Sequence, residues 1–174
     1  MQKIVFTGGE GVGKSSLILF LETQGEFVLR EAASDIIRLQ RAMGIPFPTD
    51  SIEFEETVLR EHLRREKNID KNPNITRVFI DRGWIDHIVY GKLFNWKIND
   101  TTMEDAMRIK YHKVFFLVES NEFGNALMNE KDIRRSRMLG AEILALYKNN
   151  GYSPILVQPD TINKRADFIL SNLI

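Results

Sequence analysis

Residues 5–17, VFTGGEGVGKSSL, place four glycines and a lysine between the apolar runs KIVF and LILFL. Glycine loses more backbone freedom on folding than any other residue, so such a cluster needs a reason. Gly8, Gly13, Lys14 and Ser15 satisfy G-x-x-x-x-G-K-[ST], with Gly9, Glu10, Gly11 and Val12 between them and Ser16 following. A polyphosphate needs several backbone N–H groups pointing inward around it, and side chains would obstruct that approach. The pattern therefore predicts a strand over 3–7, a phosphate-binding loop over 8–16 and a helix opening near Gly13. In that arrangement the helix adds its positive dipole end, Lys14 reaches the outer phosphates and the Ser15 hydroxyl ligates Mg²⁺.

A loop of this kind belongs between β and α elements, and the rest of the chain supplies them. Apolar runs rich in β-branched and aromatic residues recur at 26–30 (EFVLR), 77–81 (RVFID), 113–119 (KVFFLVE) and 154–158 (PILVQ). Their apolar residues follow one another without polar alternation, which predicts strands buried on both faces. Helical patterns separate them: Leu17, Ile18 and Leu21 before a stop at Gln24-Gly25, a helix opened by the pair Asp50 and Glu53, another opened by Thr101 and Glu104, and two final helices marked by Ile143, Leu144 and Tyr147 and by Ile162, Ala166 and Ile169. The Ile45-Pro46-Phe47-Pro48 segment reads as a turn. Five strands alternating with helices predict an α/β fold with a parallel sheet and helices on both faces. With 174 residues, no repeat and no linker-like tract, the expectation is one domain over 1–174.

A nucleotide site also needs a second metal-side ligand. Asp81 closes the run VFID at the C-terminal end of a predicted strand, where open α/β sheets place their ligand sites, and Arg82 follows it. Glu31 ends the second strand on the same edge, which makes it the candidate base for an acceptor hydroxyl, with Asp35 and Asp86 as substitutes. Phosphoryl transfer spreads negative charge over equatorial oxygens and calls for fixed guanidinium groups. Arg82 is one, and EKDIRRSRM sets Lys131, Arg134 and Arg135 on one helical face, within a lid expected over about 120–137 that would exclude water. A GTPase switch would carry D-x-x-G after the metal strand, where Asp81 is followed by Arg82-Gly83, and an N-K-x-D that NKRAD at 163–167 does not supply. A motor-type ATPase would carry a glutamate after the strand acid.

Several segments together resemble a known group. GGEGVGKSSL, REAASDI, VFIDRGWIDHIVYG and DIRRSR before YKNNGYSPILV are similar to the P-loop NTPase/kinase family that includes the NadR-like AAA/ATPase domains and their ribosylnicotinamide kinases. The resemblance implies a nucleoside-kinase-like three-layer fold with a sheet of order 2-3-1-4-5. It also implies a glutamate after strand two at Glu31, an acid-arginine pair at Asp81-Arg82, and lid arginines at Arg134 and Arg137. The expected activity is an ATP- and Mg²⁺-dependent phosphotransferase acting on a small hydroxyl-bearing metabolite of nucleoside-like kind. The alternative is a regulatory NTPase that binds ATP or GTP without an acceptor.

For the acceptor the sequence offers only candidates: Trp84, Tyr90, Phe94 and Trp96 as stacking rings, and Phe47, Phe54 and Arg60 or Arg64 on the acceptor side. His62, His87 and His112 lack metal-ligand spacing and read as surface or core residues. Twenty-four basic and twenty-four acidic residues cancel, so no global field selects nucleic acid or an anionic membrane, and any anion must be held locally. The absence of cysteine removes disulfide and thiolate chemistry and fits a reducing compartment. No apolar run reaches bilayer-spanning length. The expectation is a cytoplasmic monomer or homodimer.

Overall fold

Strand β1 (Gln2–Thr7) is the centre of the molecule, and its side chains alternate between two cores. A computed structural model describes residues 1–45, 51–93, 95–119 and 129–173. Along the chain β1 is followed by α1 (Lys14–Thr23), β2 (Val28–Leu29), α2 (Ala32–Ala42), α3 (Ile52–Asp70), β3 (Arg77–Asp81), α4 (Trp84–Leu93), α5 (Asp100–Met107), β4 (Lys113–Leu117), α6 (Glu130–Asn149), β5 (Ile155–Val157) and α7 (Ile162–Ser171). The five strands form one parallel sheet of order β2-β3-β1-β4-β5.

On one face, Ile4 and Phe6 of β1, Phe79 of β3 and Phe115 and Leu117 of β4 pack against Leu17, Ile18 and Leu21 of α1 and Ala166 and Ile169 of α7. On the other, Val5, Val78, Ile80 and Val114 pack against α3 to α6 through Leu59, Leu63, Ile85, Val89, Leu139, Ile143 and Tyr147. This explains the unbroken apolar runs: a strand covered by helices on both faces has no solvent side to make polar. Phe6, Phe79 and Phe115 are fully buried, and Phe6 meets the other two rings at centroid distances of 5.6 and 6.1 Å. Each such ring contributes about 1.5–3 kcal/mol through burial.

Register matters for the site. Phe6 pairs with Asp81 and Thr7 with Phe116, while Leu29 pairs with Ile80. The C-terminal ends of β1, β3 and β2 therefore lie side by side, and the residues that follow them share one edge.

Two helix starts differ from the sequence expectation. The cap of α3 is Ser51, whose Oγ accepts from the Phe54 N–H at 3.1 Å; Asp50 lies outside the described residues. For α5 the cap is Asn99, whose Oδ1 accepts from the Thr102 N–H at 2.8 Å, so Thr101 is already inside the helix. In both places several cap-forming side chains are adjacent, and the one in extended geometry three residues before a free N–H takes the role. Gly25 and Gly151, at φ +89° and +83°, follow the ends of α1 and α6 as the sequence suggests. Residues 46–48 of the expected turn, Phe94, and the 120–128 portion of the expected lid lie outside the described residues.

Candidate active site

The loop between β1 and α1 holds together through contacts only glycine permits. A Cβ at Gly8 would lie 2.6 Å from the Leu117 carbonyl oxygen of β4, and one at Gly9 would lie 2.6 Å from the Ser136 carbonyl oxygen of α6. Gly8, Gly11 and Gly13 all have positive φ, at +133°, +72° and +87°. Ser136 ties α6 to the loop by donating from Oγ to the Glu10 carbonyl at 2.8 Å. Lys14 is buried, and its Nζ donates to the carbonyls of Gly8 at 3.1 Å and Gly9 at 2.5 Å. Burial pushes its pKa down to about 8, with Arg82 adding to the effect and Asp81, Asp86 and Glu31 opposing it. Among the described residues its ammonium is hydrogen-bonded to these two carbonyls.

Directly beside it, Ser15 Oγ donates to Asp81 Oδ2 at 2.7 Å. Asp81 is 2% exposed, its Oδ1 has no hydrogen-bond partner among the described residues, and burial pushes its carboxyl up despite the Ser15 hydrogen bond and the charges of Lys14 and Arg82. A hydroxyl and an acid with an orphaned oxygen fit a Mg²⁺ ion that takes its remaining ligands from phosphates and water. Among the described residues there is no group of three or more His, Asp or Glu side chains that could hold a metal ion.

Arg82 has φ +69°, a conformation that costs a non-glycine residue about 1–3 kcal/mol and persists only where its surroundings impose it. Four contacts do so. Its N–H donates to the Phe6 carbonyl at 3.0 Å, its Nη1 donates to the Tyr90 hydroxyl at 2.6 Å, its guanidinium carbon lies 4.7 Å from the Tyr90 ring centroid, and its Nε forms an ion pair with Glu31 Oε1 at 2.6 Å. Tyr90 in turn donates to Glu10 Oε1 of the loop at 3.3 Å. Glu31, at the N-terminus of α2, thus faces the same edge as the loop.

Glu31 separates two adjoining hollows. One is lined by Glu10, Phe54, Glu55, Arg82, Tyr90 and Arg135, and the other includes Ser15, Ser34, Asp35, Arg38 and Asp81. Asp35 also pairs with Arg65 at 2.8 Å. Asp86 is fully buried and accepts from Thr7 Oγ1 at 2.6 Å, the Gly83 N–H at 3.0 Å and the Tyr147 hydroxyl at 2.7 Å. With both oxygens engaged inside the core, Asp86 is a structural acid, not a substitute base.

The structure thus brings Gly8 to Ser16, Glu31, Asp81 and Arg82 to one edge of the sheet. It leaves Arg134 exposed on α6, 3.8 Å from Glu130, and Arg137 paired with Glu119 at 2.9 Å. Arg135 lines the crevice instead. Of the proposed stacking rings, Tyr90 covers Arg82, whereas Trp84 is a core residue. Phe54 and Tyr90 line the crevice; Arg60 and Arg64 pair with Glu56 and Glu61 on the exposed side of α3. His62 and His87 are buried and His112 is exposed.

The sheet order, the glycine loop and the acid-arginine turn after β3 define a P-loop protein of the kinase-like type. The chain belongs to the AAA domain family, which it matches over residues 3–165. Among solved structures it is similar to a deoxyadenosine kinase from M. mycoides with bound dATP, at a TM-score of 0.62 and 16% identity over 99% of each chain. It is similar to a thymidylate kinase from Ehrlichia chaffeensis, at 0.66 and 16% over 99% of this chain and 98% of that one. It is also similar to the NadR protein in complex with NR, at 0.72 and 12% over 98% of this chain and 51% of that one. At these identities the likeness is one of fold. No match was found among curated protein sequences. No helix among the described residues is long and apolar enough to cross a membrane.

Proposed function

We propose that the chain is an ATP- and Mg²⁺-dependent phosphotransferase acting on a small hydroxyl-bearing acceptor of nucleoside-like kind, working as one domain with a lid over about 120–137. The observation that carries this reading is the Glu31–Arg82 pair, set beside Lys14, Ser15 and Asp81. A motor-type hydrolase would carry its carboxylate directly after Asp81, where this chain has Arg82, whereas Glu31 stands between the phosphate loop and a second hollow. In this reading the loop amides and Lys14 hold the donor phosphates, and Glu31 accepts the acceptor's proton. Arg82, with a guanidinium from α6, faces the transferring group. Ser15 and Asp81 would hold Mg²⁺, which when bound neutralises charge on the phosphates.

Charge supports an acceptor without phosphate or carboxylate. The crevice on the Arg82 side presents Glu10, Glu31 and Glu55 against Arg82 and Arg135, and Arg82 is already engaged by Glu31. With three carboxylates against two guanidiniums along its lining, the crevice opposes an anionic acceptor. The deciding experiment incubates the protein with labelled Mg-ATP and a panel of nucleosides and small polyols. One labelled acceptor is expected, with Glu31→Gln slowing its turnover by roughly 10² or more while nucleotide affinity stays unchanged. Exhaustive failure of the panel with intact nucleotide binding would favour the regulatory NTPase.

A further inference from the structure

Arg165 is on α7, far along the chain from the loop that it touches. Its side chain is almost entirely buried, at 8% exposure. Its Nη2 donates to the Val12 carbonyl at 3.0 Å, and its Nη1 lies 3.0 Å from where a Cβ at Gly13 would stand. Gly13 thus does more than adopt positive φ: it admits a guanidinium against the phosphate loop. Among the described residues the buried Arg165 Nε has no hydrogen-bond partner and no carboxylate forms an ion pair with the guanidinium. Burial pushes its pKa down and no neighbouring acid opposes the shift, yet a guanidinium stays charged at any working pH. Asp160, just before α7, is engaged by Lys164 at 3.2 Å.

A buried charge without a partner is costly, and removing such a charge ordinarily stabilises a fold. This one lies against a loop whose amides form a cradle for anions. We infer that Arg165 is a positioning residue for the phosphate donor: it fixes the Val12 carbonyl, and so the orientation of the loop amides, and its charge is balanced only when donor phosphates fill the loop. The inference rests on the donor site proposed above. It sets a trade between stability of the empty protein and affinity for the donor, the reverse of what a structural strut would give.

The test uses the full chain with Arg165→Met, which keeps the apolar stem; Arg165→Gln, which keeps a donor for Val12 without the charge; and Arg165→Lys. Melting without ligand is measured beside calorimetric titration with Mg-ATP and, separately, inorganic tripolyphosphate. The expected result is an unchanged or raised melting temperature for Met and Gln, affinity for both probes lowered about tenfold or more, and substantial recovery in Lys. Wild-type affinity in the Met and Gln variants would overturn the inference and leave the donor site standing. So would destabilisation or misfolding of both, which would make the arginine a strut. If Mg-ATP affinity falls while tripolyphosphate affinity does not, the arginine serves the nucleoside part of the donor and the loop-positioning role is refuted. A wild-type protein that binds neither probe removes the donor site and this role with it.

Discussion

Replacing Asp86 with alanine should destabilise the protein by about 3–5 kcal/mol, the range for breaking a buried charge network. The acid is fully buried and accepts three hydrogen bonds, from Thr7 at the end of β1, from the Gly83 N–H in the turn after β3, and from Tyr147 on α6. Each donor left unpaired in the core costs about 1–3 kcal/mol. Relief of the carboxylate's own desolvation and rotation of the two hydroxyls return part of that, which brings the sum down to the stated range. Asp86→Asn should cost less, about 1–2 kcal/mol, because an amide NH₂ placed toward Thr7 finds a hydroxyl able to accept while its oxygen keeps Gly83 and Tyr147. The assay is urea denaturation followed by far-UV dichroism. With a slope of about 2 kcal/mol/M the alanine variant should lose roughly 1.5–2.5 M in midpoint. Tyr147→Phe supplies the control: its effect should shrink by about 1 kcal/mol or more in the Asp86→Ala background, since both remove one bond. A loss below about 1 kcal/mol in Asp86→Ala, or strict additivity with Tyr147→Phe, would refute the network and return Asp86 to the list of candidate bases.

Other perturbations separate roles nearer the surface and the loop. Gly9→Ala should cost about 1–3 kcal/mol and weaken Mg-ATP binding together, because its Cβ meets both the Oγ and the carbonyl oxygen of Ser136 and breaks the Ser136–Glu10 bond; thermal melts with and without nucleotide measure both. Glu61 has its pKa lowered to about 2, first by the hydrogen bond from Arg64 and then by that from Arg65. Its folded pKa lies below the ordinary glutamate value of 4.5, so the unfolded chain takes up the proton first. The contribution of Glu61 and its two arginines is therefore full above about pH 4.5 and is lost as pH falls toward 2; Glu61→Gln should flatten the melting-temperature profile across that window by a small loss at neutral pH, leaving the value near pH 2 unchanged.

Much of this was legible in the sequence where a single physical demand selects the residue. A phosphate cradle demands bare backbone, so the glycines announce it, and a strand covered on both faces demands continuous apolar runs, so β1, β3 and β4 announce themselves. Asp81 and Glu31 follow because parallel strands aligned at one edge deliver their last residues to one place. The choice between Arg134 and Arg135 is another matter. Neighbours on a helix point about 100° apart, and the phase of α6 is set by Ser136, Leu139, Gly140 and Ile143 seating on the loop and the sheet. Only the packed structure fixes it. Tyr90 looked like a stacking ring for an acceptor because spacing cannot show that its partner is Arg82. Arg165 gave no signal at all: a basic residue in a polar-looking helix start reads as solvated until the fold lays it against Val12.

The central position of β1 bears on how the molecule is made. Its neighbours are β3 and β4, with Ile4 opposite Phe79 on one side and Lys113 on the other, while β2 lies at the sheet's edge. As the chain emerges during translation, the glycine loop leaves the ribosome before the strands that flank β1, and the Val12 carbonyl waits for Arg165. At about 5–20 residues per second, roughly 8–31 s separate the two ends of that contact. A nascent chain released before α7 would carry the entire loop signature in its sequence and still lack the hydrogen bond that fixes the Val12 carbonyl.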